Sequence, residues 1–165
     1  MSLSGAIIQI STSQGGIPKL AIPEAFLTLT GLEGDLCAHP RFHGGPNQAV
    51  LIITSESLDE MRAAGFLVSP GALGENLTTV GLDRRAIRIG QRFSAGETIL
   101  EITKLRVPCA TLNIFNSNGL VIQKAIYDDQ VKAGDPASPR WGLAGFYAKV
   151  PQTGQIRTND TIELL

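Results

Sequence analysis

Cysteine is scarce in this sequence, which has only Cys37 and Cys109 among 165 residues. A secreted scaffold held by disulfides is usually shorter and much richer in cysteine, so that class is excluded. The N-terminus has no basic segment followed by an apolar stretch, and no run of about 18 apolar residues occurs, so we expect neither a signal peptide nor a membrane span. The expected location is therefore the cytoplasm, with both thiols reduced, although the sequence leaves a Cys37–Cys109 disulfide open.

Charge is also sparse, at 18% of residues with a formal net charge of −1. This balance gives no bulk attraction to nucleic acid. The hydrophobic fraction of 43% excludes intrinsic disorder. Eighteen glycines and nine prolines favour short strands joined by tight turns. We find no linker, internal repeat or low-complexity tract, so residues 1–165 are interpreted as a single domain.

Short apolar segments predict a strand-dominated fold. Two helices are expected, one starting at an N-cap on Ser55 and ending near Gly65, and one over about 118–128. Residues 129–140 are predicted to be a mobile loop. The fold class is mainly β, most simply a single β-barrel with a few short helices. The predicted strands are residues 5–10, 19–22, 26–29, 49–53, 76–80, the hairpin 91–94 and 98–103, and a final pair at 143–150 and 155–165.

Two glycine-rich loops are candidate ligand sites. The first contains His43, Gly44 and Gly45, where adjacent glycines allow the backbone to approach a ligand and the histidine can donate a hydrogen bond. A tight turn with a capping histidine is the alternative. The second loop contributes three more candidates, of which the asparagine suits the edge of a heterocycle but equally suits a role in satisfying its own turn. These candidates are Gly74, Glu75 and Asn76.

A third loop carries Cys109. A thiol acts as a nucleophile or metal ligand only when ionised, so its surroundings must favour the thiolate. Arg106 lies three residues earlier, Pro108 fixes the preceding backbone, and a helical turn starting at Ala110 would add N–H groups near the sulfur. A buried structural cysteine remains the alternative.

The other candidate residues are weaker. Pro40 breaks the spacing between His39 and His43 that a zinc pair would need. Trp141 is expected to pack in the core or against a loop. Walker, Rossmann and nucleophile-elbow motifs are missing. A set of four arginines is interpreted as a solvated face from which one side chain could meet a cofactor phosphate; it comprises Arg84, Arg85, Arg88 and Arg92.

Four runs in this order resemble the MOSC domain, the family named from the C-terminus of molybdenum cofactor sulfurase. The similarity extends from about Gly31 to the C-terminus. The runs are Gly31-Leu32-Glu33-Gly34-Asp35, His43-Gly44-Gly45-Pro46, Pro70-Gly71-Ala72-Leu73-Gly74-Glu75-Asn76-Leu77-Thr78 and Pro108-Cys109-Ala110-Thr111-Leu112.

This resemblance implies a β-barrel and a pocket that binds the molybdenum cofactor, a molybdopterin, with Cys109 as both the catalytic residue and the ligand to the metal. It implies an oxidoreductase that reduces N-hydroxylated small molecules. The alternative is a sulfur carrier or cofactor-binding module with a persulfide on Cys109. No ferredoxin-type cysteine cluster is present, so the expected partner is a separate electron-donor protein, or a sulfur donor for the alternative. For the oxidoreductase, His43, Gly44, Gly45, Gly74, Glu75, Asn76 and Arg106 are expected to bind the cofactor.

Overall fold

The computed structural model of the chain describes residues 3–37 and 44–165. The strands in this part of the chain are β1 Ser4–Thr12, β2 Leu20–Ile22, β3 Glu24–Thr28, β4 Gly31–Leu32, β5 Val50–Thr54, β6 Leu77–Val80, β7 Arg92–Ala95, β8 Thr98–Leu105, β9 Phe146–Gln152, β10 Gly154–Arg157 and β11 Thr161–Leu164. The helices are α1 Ser55–Ala63, α2 Ile122–Ile126 and α3 Asp129–Lys132, with 3₁₀ helices at Pro46–Gln48, Arg84–Ala86 and Ala110–Phe115.

Seven strands close into a barrel, as the sequence predicted. Their order is β11-β7-β8-β9-β5-β6-β1, and β1 pairs with β11 to close the ring. Only the β5–β6 pairing in this ring is parallel, with α1 as the connection between the two strands. Closure leaves no long unpaired edge within the ring, while β2 extends the sheet beside β1.

The predicted pairing between the last two strand segments is wrong. β9 pairs with β5 and β8, whereas β10 pairs with β3 in a separate three-stranded sheet. β11 then returns to the barrel between β1 and β7. The chain therefore crosses from one sheet to the other near Thr153. The strand β3 that pairs with β10 lies too far away in sequence for a local pattern to reveal the pairing.

Two apolar clusters share the β5 strand. Ile52 belongs to the cluster inside the barrel, whereas Ile53 belongs to a second cluster formed with α1, α2 and the segment around Leu73. All five residues of β5 are buried, which agrees with the continuous apolar run in its sequence. The second cluster therefore fixes the glycine-rich segment 70–76 against the outside of the barrel.

The helix predictions need three corrections. The N-cap of α1 is Thr54, whose Oγ1 accepts from the backbone N–H of Ser57 at 3.1 Å, and not Ser55. The helix predicted over 118–128 is only α2, because Asn118 has a φ of 51° in a turn that breaks helical geometry. The predicted loop 129–140 contains α3, capped by the Asp128 carboxylate, which accepts from the Val131 N–H at 2.8 Å.

The predicted solvated face of arginines is wrong for one member. Arg84 is only 6% exposed and donates to the carbonyls of Trp141 and Pro139. Trp141 is itself buried, as expected, and its indole N–H donates to the carbonyl of Ile87 at 2.9 Å. None of the helices in the described ranges is long and apolar enough to cross a membrane.

Candidate functional site

A cavity of about 330 Å³ opens where the three loops singled out in the sequence meet. This volume is in the range of small-molecule sites. The loop that follows β8 forms one wall, and the glycine-rich loops contribute two others. Its lining includes Lys19, Asp35, Cys37, Gly44, Gly45, Gln48, Gly74, Asn76, Arg106, Cys109 and Tyr147.

Arg106 follows the last residue of β8, and its N–H donates to the carbonyl of Gly145 at 2.9 Å. This bond holds the residue beside the start of β9. Its side chain is only 4% exposed, and Nη2 donates to the carbonyl of Leu73 at 2.8 Å. Nε and Nη1 are buried and have no hydrogen-bond partner among the described residues. Unpaired buried guanidinium N–H groups are costly, and an anion in the cavity would satisfy them.

Burial and the neighbouring acidic groups have opposite effects on the pKa of Arg106. Burial lowers the pKa of the guanidinium, while negative charge on Tyr147, Cys109 or Glu75 would raise it. An arginine side chain nevertheless stays protonated in proteins. The cavity therefore contains a fixed positive charge near Cys109.

Cys109 stands immediately before the 3₁₀ helix Ala110–Phe115 and borders the cavity with a partly buried side chain. The helical turn expected after it is thus present. Its carbonyl accepts from the N–H of Leu112 at 3.1 Å and from Nε2 of Gln123 at 2.9 Å. The sulfur is not sealed in the apolar core, so the buried structural alternative does not describe this site.

Cys37 lines the same cavity, a position that the sequence did not reveal. Its side chain is exposed, and it forms no disulfide with Cys109. Tyr147 lines this cavity as well. Burial is the main cause that raises its pKa, and negative charge on either cysteine adds to this effect. The site therefore combines two thiols, a buried phenol and a guanidinium.

Asn76 lines the cavity, but its side chain already has internal partners. Its Oδ1 accepts from the N–H of Leu51 at 3.1 Å, and Nδ2 donates to the carbonyl of Ser11 at 3.3 Å and to Oδ2 of Asp35 at 2.9 Å. These bonds join β1, β5 and the loop after β4. The structural role that the sequence left open is thus filled, whereas a ligand contact by Asn76 remains a prediction.

Glu75 is completely buried and does not line the cavity. Neither carboxylate oxygen makes a hydrogen bond of good geometry with the described residues. Burial is the main cause that raises its pKa to about 7, opposed by the charge of Arg106 and by backbone groups of Gly71, Leu73 and Glu75 itself. Its direct contact with a cofactor stays a prediction, since Glu75 is not among the residues that line the cavity.

An ion pair that the sequence missed completes one wall. Lys19 Nζ lies 2.6 Å from both oxygens of Asp35, and Asp35 also accepts from the N–H of Ser13 at 2.9 Å. Both side chains are largely buried. Asp35 closes the first of the four runs quoted above, which is the signal that could have identified it.

The predicted glycines do meet at the cavity. Gly44 and Gly45 have φ values of 96° and 83°, and Gly74 has a φ of 90°, a region that other residues rarely adopt. His43 and His39 lie outside the described residues. Among the described residues, no cluster of three or more His, Cys, Asp or Glu side chains could hold a metal ion.

Known proteins resemble this chain in sequence. Three curated relatives are YiiM of Escherichia coli, 37% identical over 54% of this chain and 42% of its own length; YflK of Bacillus subtilis, 29% identical over 81% and 55%; and a protein named reductase of Gibberella moniliformis, 31% identical over 85% and 23%. This chain thus spans about half or less of the length of each of these relatives.

Solved structures share the fold. A protein described as hypothetical superposes with a TM-score of 0.71 at 27% identity, covering 99% of this chain and 69% of that one. The E. coli YiiM structure gives 0.67 at 25% identity, covering 98% and 69%. The YUAD protein of B. subtilis gives 0.72 at 18% identity, covering 99% and 97%, and this likeness concerns the fold alone. The MOSC domain profile matches residues 39–163, and the chain therefore belongs to the MOSC domain family.

Proposed function

We propose that this chain binds the molybdenum cofactor with Cys109 as ligand to the metal and reduces N-hydroxylated compounds. The observation that carries the proposal is that Cys109 and Arg106 line one cavity, while Nε and Nη1 of Arg106 are buried without a hydrogen-bond partner among the described residues. Membership of the MOSC family supports the cofactor, and the relative named reductase supports the reaction class.

The residues present fit such a cofactor. A thiolate is the soft ligand that molybdenum favours, and Cys109 borders the cavity. Nε and Nη1 of Arg106 would bind the phosphate of the cofactor. Gln48 lines the same cavity, and its buried Oε1 has no hydrogen-bond partner among the described residues. This oxygen would accept a hydrogen bond from an N–H group of the pterin. Gly45 would leave room for a close approach, because a Cβ there meets nothing within 4 Å.

The reaction converts R₂N–OH, two electrons and two protons into R₂NH and water. The bound cofactor would supply the two-electron chemistry at the oxygen. The protein would hold the substrate and exclude water from most of the cavity. Tyr147 lines the cavity and, with its raised pKa, keeps its phenolic proton at neutral pH, so it would donate a hydrogen bond to the substrate oxygen. Electrons would come from a separate donor protein.

The test is turnover by protein made in a cofactor-competent host. Purified protein should carry a pterin and should reduce an N-hydroxylated purine when a chemical reductant such as dithionite is supplied. Tyr147→Phe should retain the pterin but lower kcat, since only the hydroxyl is lost. Protein that carries the full complement of pterin but reduces no N-hydroxylated compound would refute the proposed reaction.

A sulfur carrier is the second candidate, because Cys37 and Cys109 line one cavity. A persulfide on Cys109 could pass its outer sulfur to an acceptor thiol without any change in metal. Under this alternative, purified protein would carry a labile sulfane sulfur that is lost in Cys109→Ser and would contain no molybdenum.

A further inference from the structure

Arg106 lines the cavity, and its charge acts on Glu75, a buried carboxyl group that is not part of the cavity lining. Arg106 is 4% exposed and Glu75 is 0% exposed, yet no ion pair or hydrogen bond joins their side chains. We propose that an oxyanion bound at Arg106 draws one proton onto Glu75, so that anion binding at this site is coupled to proton uptake. The inference deepens the proposed function, for which the cofactor phosphate would be the oxyanion, but its chemistry requires only a tetrahedral anion.

The positions of the two side chains separate their roles. Arg106 lines the cavity, and its buried Nε and Nη1 have no hydrogen-bond partner among the described residues, so an anion bound in the cavity would give this guanidinium an acceptor. Glu75 does not line the cavity, so the same anion cannot contact it. The anion would therefore bind Arg106 while Glu75 stays buried behind it, and both negative groups would depend on one guanidinium.

The charges then determine the direction of the coupling. With no anion bound, ionised Glu75 is balanced by Arg106. When an anion binds, two negative groups share that positive charge in a region of low polarity, and the repulsion favours protonated Glu75. Glu75 can respond near neutrality, since burial already raises its pKa to about 7 against the influence of Arg106. Binding should therefore weaken as the pH rises.

The other charged or ionisable groups around the cavity must be separated from Glu75 as sources of any pH dependence of anion binding. Lys19 and Asp35 neutralise each other in an ion pair at 2.6 Å. Tyr147 has a raised pKa and stays neutral in the range of interest. Glu33 also lines the cavity, and its side chain is exposed to solvent. Cysteine thiols ordinarily ionise at about pH 8.5, so Cys37 and Cys109 should be replaced by serine in the test protein.

Calorimetric titration of the Cys37→Ser/Cys109→Ser protein with sulfate tests the proposal, because sulfate keeps both its charges throughout the range. Titrations from about pH 6 to about pH 8 in buffers of different ionisation enthalpy give the number of protons taken up. We expect a fraction of a proton per sulfate, bounded by one, and an affinity that falls by up to about tenfold per pH unit above pH 7. Sulfate binding without proton uptake, or no sulfate binding, would overturn the proposal.

Two further variants assign the groups. Adding Glu75→Gln should abolish the proton uptake and make sulfate affinity independent of pH, whereas adding Arg106→Met should abolish binding at every pH. Persistence of the uptake in the Glu75→Gln protein would also overturn the proposal. The sulfate titration of the Cys37→Ser/Cys109→Ser protein, which keeps Glu75 and Arg106, does not depend on these two variants. It therefore still tests the proposal if either variant fails to fold. A protein that shows coupling but never acquires molybdenum would refute the cofactor proposal alone.

Discussion

The guanidinium of Arg106 donates through Nη2 to the carbonyl of Leu73 at 2.8 Å. This hydrogen bond joins two loops that are distant in sequence, the glycine-rich loop and the loop that carries Cys109. Both side chain and carbonyl are buried, so the bond is shielded from water. The relative position of the two loops, and hence the shape of the cavity, depends on this contact.

Arg106→Met should destabilise the fold by about 3 kcal/mol at pH 8, since it removes the opposite charge from buried Glu75. The loss should be smaller at pH 5, where Glu75 is protonated. Urea denaturation of the two proteins at both pH values measures the difference. Adding Glu75→Gln should recover part of the stability at pH 8. Equal losses at both pH values would show that the charge of Glu75 plays no part.

Glu75→Gln should stabilise the protein above neutral pH. The pKa of Glu75 is about 7 in the folded chain against an ordinary value of 4.5, so the folded state binds more protons than the unfolded state between these values. The wild-type free energy of unfolding therefore falls as the pH rises from 4.5 to about 7 and levels off above it. The variant lacks this loss and should exceed wild type by up to about 3 kcal/mol at pH 8, with little difference at pH 4. A difference independent of pH would contradict this account.

Asp35→Ala should cost about 2 kcal/mol, because Lys19, the N–H of Ser13 and Nδ2 of Asn76 all lose a charged acceptor. The matched control is Asp59→Ala, which removes an exposed ion pair with Arg62 and should change stability by less than about 0.5 kcal/mol. Thermal denaturation of both variants provides the comparison. Similar effects in the two would show that the cavity-wall network contributes no more than a surface pair.

Gln123→Ala should loosen the loop that carries Cys109. Nε2 of Gln123 donates to the carbonyl of Cys109 at 2.9 Å and to Oδ1 of Asn113 at 2.8 Å. Loss of about 1 kcal/mol of hydrogen bonding should change the alkylation rate of Cys109 by up to about fivefold, measured with iodoacetamide in a Cys37→Ser background. Lys124→Ala, a change at the exposed neighbour, should leave the rate unaltered. If both variants react alike, Gln123 does not position the thiol.

The parts of the fold that depend on nearby residues could be predicted from the sequence. The apolar run at residues 49–53 predicted a strand, which is present as Val50–Thr54 with all five residues buried. The pairing of β10 with β3 could not be predicted, because about 130 residues separate Ile156 from its partner Ala25.

Residues of the site could be predicted from the sequence only where they belong to a recognisable motif. Arg106 and Cys109 share one short segment, and the structure places both at the cavity. Lys19 and Cys37 belong to stretches without a recognisable motif. Backbone hydrogen bonds between distant segments, from Lys19 to the carbonyl of Gly71 and from Leu36 to the carbonyl of Ser13, hold these stretches at the cavity. The glycine-rich motif identified Glu75 as a candidate, but its complete burial depends on packing that no local sequence pattern encodes.

The most direct test of the central claim is the molybdenum content per chain of three proteins made in the same cofactor-competent host. Wild type and Cys37→Ser should both contain about one molybdenum per chain, because Cys37 is not the proposed ligand. Cys109→Ser should contain almost none while keeping its fold by circular dichroism. Full molybdenum in Cys109→Ser, or its loss in Cys37→Ser, would contradict the assignment of Cys109 as the ligand.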